Sequence, residues 1–474
     1  MSNLLASLST SGNAMDVFQQ ALTVTQNNVD NASTPGYARQ RLNLEAQPFD
    51  LARGLAGGVA ARGLDNSRDE YLEEAVHQQT QALGQYTAQS QATDTIQSYF
   101  DVTGGGISAA LDDLLQSFSA WSVTPNDSTA RQTVLASASN LAASVNGLAK
   151  SLAGSSQQLD GQISATVDQI NSIDGQIQQY NVQRLQEDQP DPGVDAQLHS
   201  ALDDLSQLTN FSTVTQSDGT VTVLLAGGAP LVVGTQQYAL SVDTSVSTQP
   251  APVNPQSPPT SHILDWQGND VTSQITGGQL GGSLDVRNRV LGSILGDGQQ
   301  AGTLNQFAQG LADAVNNILV AGTVSTDPGA ANGLPLFTYD NTDATAAART
   351  LAVNPAITPD QLAPVDSSGN VNGNALTLAA LGSQAMIGGQ TASQYLAQIT
   401  AGVGQENQTA TTNAQTQQQV VAQATTLRDQ ASGVSLDEEA VNVLQFQKAY
   451  QAAAQVLMVL NTLADTTINL VQPY

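Results

Sequence analysis

The chain has 474 residues, a formal net charge of −28, two lysines (Lys150 and Lys448) and no cysteine. So acidic a chain repels phosphate backbones and anionic lipid, which argues against nucleic acid and membrane surfaces as partners. The missing cysteines exclude disulfides, thiolate metal sites and Cys nucleophiles.

Aromatics make up only 4% of the chain and charged residues 11%. Cores built from so few large side chains must be thin, as in helix pairs and small sheets. At ~100–200 residues per domain, the length allows two to four domains. The first 38 residues hold no Lys or Arg, so no charged region precedes an apolar one as in a secretory signal. No run approaches the ~18 apolar residues of a membrane helix. The expectation is a soluble chain with no membrane insertion, not exported by the general secretory route.

The N-terminus reads as a helix with a seven-residue apolar repeat. Leu8, Met15, Leu22 and Val29 form one row, and Leu4, Phe18 and Thr25 the companion row. Such a seam is built to pack lengthwise on another helix. The stretch NNVDNASTPGYARQ follows, and Pro35-Gly36 is expected to stop the helix. Asp69 to Leu208 then shows apolar positions three and four apart with Gln/Ser/Thr faces, the pattern of successive helices.

At Phe211 the period changes to two. FSTVTQSDGTVTVLLAGGAPLVVG is alternating β-branched sequence around Asp218-Gly219, a hairpin signal. Five prolines between 250 and 259 mark an extended linker, and HILDWQGNDVTSQI resumes strand character. Helix returns in GGSLDVRNRVLGSILGD and TLNQFAQGLADAVNNILVAG. Residues 323–378 are irregular, and a Gln/Thr/Ala-rich helix runs from about 390 to 431.

The C-terminus carries a second seam. Leu436, Val443, Tyr450, Leu457 and Ala464 recur every seven residues, with Phe446, Ala453, Leu460 and Ile468 beside them. Ser435 to Glu438 reads as a capping box, and Asp437, Glu438 and Glu439 suit the positive helix end. Two seams at the two ends, enclosing everything else, point to a coiled coil between the termini.

The fold expected is mainly α with an inserted β-rich part. The expected units are a terminal coiled-coil assembly domain (1–40 and 432–474) and a helical middle domain (41–208, 277–322 and 386–431). A small β-rich outer domain (209–276 and 323–385) completes the set.

The search for chemistry finds no assembled site. His77, His199 and His262 stand without a second ligand at helical spacing and read as surface or packing residues. Asp112-Asp113, Asp203-Asp204 and Glu438-Glu439 are adjacent on helices, so each pair diverges by about 100° and reads as a solvated face. Gly104-Gly105-Gly106 lacks the Lys and Ser/Thr of a P-loop and reads as a helix–helix turn. Trp121 and Trp266 read as small-core anchors. The expectation is no enzyme, no metal and no cofactor.

The two terminal stretches do resemble a family. NNVDNASTPGYARQ behind an apolar heptad is similar to the N-terminal signature of bacterial flagellar axial proteins: rod, hook and hook-associated proteins. SGVSLDEEAVNVLQFQKAYQAAAQVLMVLNTLADTTINLV resembles their C-terminal signature. The ending Gly36-Tyr37-Ala38-Arg39-Gln40 is similar to the hook-associated protein 1 (FlgK) family rather than to hook and distal-rod proteins, which carry Gly-Phe-Lys there. GGVAARGLDNSRDEYLEEAV, SFSAWSVTPNDSTARQTVL and VTVLLAGGAPLVVG extend the likeness inward. Where that family has an Arg before its first hairpin, this chain has AQLHSALDDLSQL without one.

The resemblance implies a structural part of the flagellum, a ring of copies of itself at the hook–filament junction. It implies export by the flagellar type III apparatus, a cytoplasmic state before export and an extracellular one after it. The implied partners are hook protein FlgE, junction protein FlgL and the export chaperone FlgN. The implied motif residues are Asn27, Asn28, Asn31, Pro35, Gly36, Tyr37 and Arg39, with the two seams as assembly surfaces and the C-terminal one as chaperone site. The alternatives are another axial protein, hook or distal rod, and a secreted enzyme or adhesin on flagellar-type ends.

Overall fold

The computed structural model describes residues 2–50, 55–100, 106–186, 191–243, 260–297 and 300–471. Gly104, Gly105 and the proline-rich linker lie outside them. No helix among the described residues is long and apolar enough to cross a membrane.

The two ends of the chain meet. Helix α1 (Ser2–Asp30) packs along the C-terminal helix α12 (Leu436–Val471). A hairpin that the periodicity reading passed over lies against the same helix: β1 (Gln40–Ala46) pairs antiparallel with β4 (Val59–Asn66), with the short β2 (Phe49–Asp50) and β3 (Leu55–Ala56) beyond them. Helix α1 ends at Asp30, five residues before Pro35, and turns fill the interval.

The body hangs on α4 (Ser128–Gln186), whose 59 residues span about 90 Å at 1.5 Å per residue. Its first half joins one core and its second half another. The first core gathers the end of α2 (Glu70–Phe100), α3 (Ile107–Val123), α8 (Thr303–Val320), α10 (Gly373–Ala380) and the start of α11 (Ala392–Ser432). Trp121, Phe118 and Phe307 are its large, fully buried side chains.

The second core packs Ile163, Ile170 and Ile177 of α4 and Leu202 and Leu205 of α5 (Pro192–Leu208) under a four-stranded antiparallel sheet. That sheet is ordered β5 (Phe211–Thr215), β6 (Val221–Leu225), β7 (Pro230–Val233) and β8 (Gln236–Gln237). The Asp218-Gly219 turn joins β5 to β6 as expected. A further ladder, β9 (Ser241–Asp243) with β10 (His262–Leu264), leads to α6 (Gly278–Asp285).

The α6 helix passes without a break into a π turn at Val286–Val290 and then α7 (Leu291–Leu295). A π turn widens the helix and redirects successive side chains. Arg287, fully buried, forks onto Asp160 of α4 at 2.7 and 3.2 Å. Arg289 pairs with Asp285 and with Glu406 of α11.

Asparagine side chains form a recurring device. Five helical or π-turn asparagines each hold one residue's backbone by both its groups: Asn28 holds Gln40, Asn171 Leu240, Asn181 Val221, Asn288 Ser261 and Asn316 Phe337. In each pair the side-chain amide donates to the carbonyl and its oxygen accepts from the N–H. An edge that would otherwise leave buried backbone groups unpaired is thereby closed by a helix side chain.

Two expectations are corrected. Residues 323–385 do not join 209–276 in one β-rich unit. Leu336, Phe337, Leu351, Ile357 and Leu362 are buried in the first core, whereas the 209–276 strands build the second. The only ladder between named strands in the former segment is β11 (Phe337–Thr338) with β12 (Ala352–Val353), flanking α9 (Ala347–Thr350). Its apolar side chains find α4 and α8 closer than any sheet. Trp121 is an anchor, with its indole N–H donating to the Pro125 carbonyl at 3.1 Å. Trp266 is 53% exposed and lies beside Tyr238.

Candidate functional site

The motif stretch sits where the terminal coil meets the body, and Asn28 is its centre. Asn28 is buried on the last turn of α1. Its amide donates to the Gln40 carbonyl at 2.9 Å and to a Glu439 carboxylate oxygen at 3.3 Å. Its oxygen accepts from the Gln40 N–H at 2.9 Å and from the Tyr37 hydroxyl at 3.0 Å. All four hydrogen-bonding positions of the side chain are used. Burial, and after it the Glu439 charge, push the Tyr37 hydroxyl up to about 12, so it stays a donor.

The other motif residues shape the turn. Asn31 donates to the Asn27 carbonyl from both its backbone and its side chain, and Thr34 donates to the Asn31 side chain. Pro35 is exposed. Gly36 has φ +71°, and a Cβ there would stand 2.2 Å from the Ala196 carbonyl oxygen of α5. Both the left-handed backbone and the close approach demand glycine.

Arg39 ties the turn to α12. Its guanidinium lies 2.7 Å from Glu438 and 2.6 Å from Glu439, and its backbone N–H donates to the Ser432 carbonyl. The Glu438 contact is exposed and contributes little. Glu439 is fully buried, so its charge depends on Arg39 and Asn28. The expected capping box at Ser435 is half formed. The Glu438 N–H approaches the Ser435 hydroxyl at 3.5 Å, while the Glu438 carboxylate turns to Arg39 instead.

Below the turn a second set of charges holds α2, α5 and α11 together. Arg68 pairs with Glu73 and Asp195 and donates to the Gly36 carbonyl. Arg428, near the end of α11, reaches Glu73 at 3.3 Å and Asp203 at 3.0 Å. The Asp203 carboxyl is held below its usual range: burial pushes the other way, but the His77 hydrogen bond and the Arg428 charge outweigh it. Burial and Arg68 drive His199 down to about 3, so it is neutral. In the AQLHSALDDLSQL segment, which has no Arg, Asp203 meets the Arg428 guanidinium of α11.

Three sequence readings change here. Glu73, His77 and Asp203 bring donor atoms within 4.8 Å of one another, so His77 is not isolated. The Arg428 guanidinium lies against both carboxylates and supplies the positive charge that a metal would. Glu439 lies in a buried ion pair and Asp203 in a half-buried one, because each faces an arginine from another element.

The seams separate into two cases. On α12, Val443, Phe446, Tyr450, Ala453, Leu457, Leu460 and Ala464 are partly covered, and α1 is the element against them. Leu436, at the first turn of the row, and Ile468, one position off it, are half exposed. On α1, the fully buried line is Val17, Ala21, Thr25 and Asn28. Leu4, Leu8, Met15, Phe18 and Leu22 are only partly covered, and Val29 is exposed. Thr25 of the expected companion row is on the buried line; the row of Leu8, Met15, Leu22 and Val29 stands about 100° around the helix from it, because the β1–β4 hairpin shares α1 with α12.

The opposite side of α12 carries a further apolar row. Val441, Leu444, Val456, Val459 and Leu463 are each half or more exposed. A helix that is apolar on two opposed sides is suited to lie between two partners, and this chain covers only one side.

A long α-helical body, a small sheet and paired terminal helices with bare apolar rows define a structural assembly protein. The model of the family described as "Flagellar hook-associated protein FlgK helical domain" matches residues 93–337, and that of "Flagellar basal body rod FlgEFG protein C-terminal" matches 428–470. Flagellar hook-associated protein 1 of Bacillus subtilis (strain 168) is 26% identical over 501 residues, covering 99% of each chain. That of Escherichia coli (strain K12) is 25% identical over 552 residues, covering 96% of this chain and 98% of its own. The solved structure of the flagellar hook junction protein FlgK from Burkholderia pseudomallei is similar in fold, with TM-score 0.60 and 18% identity over 77% of this chain and 100% of that one. The chain belongs to the flagellar hook-associated protein FlgK family.

Proposed function

We propose that this chain is a structural, non-enzymatic subunit of the hook–filament junction, where copies of it form a ring. The bare row of α12 carries the proposal. Its five exposed valines and leucines face away from α1 and are about half covered already, so covering each contributes roughly half of the ~1.5–3 kcal/mol of full burial. The partly covered residues of α1, from Leu4 to Leu22, with the exposed Val29, offer a second contact. The terminal coil (1–40 and 432–474) is the assembly unit, and the cores built on α4 form the body that it carries.

The motif residues work as the joint. Asn28, Tyr37, Gly36 and Arg39 fix the direction in which the body leaves the coil. Hook protein FlgE on one side and junction protein FlgL on the other are the neighbours this reading assigns. Export passes through the flagellar type III apparatus, with FlgN shielding the apolar α12 in the cytoplasm before the chain reaches the cell exterior.

Immunogold labelling of intact flagella tests the assignment. A band at the boundary of hook and filament is the expected result. Label along the hook, along the filament, or absent from the flagellum overturns it.

A further inference from the structure

The bare row of α12 contains one charge. Lys448 is exposed and lies between Leu444 and Val456 on the same side of the helix. It is the only cation in α12, and α1 has none. The two helices carry exposed carboxylates at Asp16, Asp30 and Asp465, while Asp437 sits in the first turn of α12, where its charge suits the helix end.

An apolar row alone sets no register, because valines and leucines tolerate sliding by a turn. An ammonium buried without a carboxylate is costly, so a single one inside a contact selects the alignment that pairs it. Two copies at −28 each also repel, and a lone cation in the contact offers local attraction between them. A second copy of this chain supplies what Lys448 lacks: terminal helices with exposed carboxylates and no cation besides Lys448 itself.

We propose that Lys448 is the residue by which α12 recognises a second copy, its ammonium pairing with a carboxylate on the neighbour's terminal helices. This rests on the assembly reading above. Measured from the joint, at 1.5 Å per residue, Lys448 stands about 18 Å along the coil, Asp30 at about 0, Asp16 at about 21 Å and Asp465 at about 44 Å. Each carboxylate therefore corresponds to a different axial stagger between copies: about 3 Å for Asp16, 18 Å for Asp30 and 26 Å for Asp465.

The test uses the full chain in flagellated cells. Lys448→Glu is expected to lower the amount incorporated at the junction about tenfold, with unchanged thermal melting of the purified chain. One of the double variants that add Asp16→Lys, Asp30→Lys or Asp465→Lys is expected to restore incorporation, and its position reports the stagger. Restoration within one chain occurs only if both sites face each other between copies. Because the chain has no cysteine, Lys448→Cys combined with a Cys at the rescuing position gives disulfide-linked multimers where the Cα atoms approach within about 7 Å. Incorporation of Lys448→Glu at the wild-type level, rescue by none of the three, or linkage within single chains overturns the proposal. So does linkage of Lys448→Cys solely to a different flagellar protein. Wild-type chain missing from the hook–filament boundary would instead overturn the assembly reading.

Discussion

The terminal coil and the α4 body are both helical, yet they hold their shape by different means. The body encloses two cores in which Trp121, Phe307, Ile163 and Ile170 are fully buried. The coil has two buried apolar side chains on α1, Val17 and Ala21, and a row on α12 that is only partly covered. Helix formation without packing is marginal. The body should therefore be stable by itself, whereas the coil should depend on what lies against it.

Amide exchange on the purified monomer probes that contrast most directly. Residues 436–470 are expected to exchange orders of magnitude faster than the α4 amides. Comparable protection of the two would erase the distinction. Substitutions then separate the regions by stability. Phe307→Ala should cost about 3–5 kcal/mol of body stability in urea unfolding. Leu457→Asp should leave that transition unchanged but prevent incorporation at the junction. A cell with full-length filaments carrying Leu457→Asp at the junction would contradict the role given to the coil.

The body buries a carboxyl group that nothing satisfies. Asp174 on α4 is fully buried, neither carboxylate oxygen has a hydrogen-bond partner, and burial raises it to about 8. A folded-state value above the unfolded ~3.9 means that stability is fullest below pH ~4. It falls as pH rises from there, and the loss levels off above about 8. Asp174→Asn should therefore stabilise the body by on the order of 3–4 kcal/mol at pH 7, with the gain vanishing near pH 4. Equal gains at both pH values would show that the carboxylate is not held neutral.

The smallest effect belongs to the joint between the regions. Asn28→Ala leaves the Gln40 N–H and carbonyl and the Tyr37 hydroxyl without their partner, a cost of about 1–3 kcal/mol. It should appear as faster exchange at Gln40 and Tyr37, with the α4 amides unmoved.

Much of this architecture was legible in the chain. The long helices, the Asp218-Gly219 hairpin and the covered row on α12 follow from periods of two, three-to-four and seven. The β1–β4 hairpin was missed although QRLNLEA alternates, because its neighbours read as loop and its faces are mostly half exposed. The partners of the joint had no local signal: Asn28 and Glu439 are 411 residues apart, and Arg39 and Glu438 are 399 apart. Spacing rules reach only a few residues along a helix or strand. Contacts of that range depend on how whole elements dock.

By itself the sequence determined the helical class, the two apolar ends and the absence of thiol chemistry. It did so because periodicity, turn residues and composition act locally. Tertiary structure alone decided which face of α1 is buried, that 323–385 joins the first core, and that five asparagines close backbone edges. It also decided that Arg428 lies between Glu73 and Asp203. Each of these turns on which surfaces meet, and a polar side chain's role is set by the charge or backbone group brought against it.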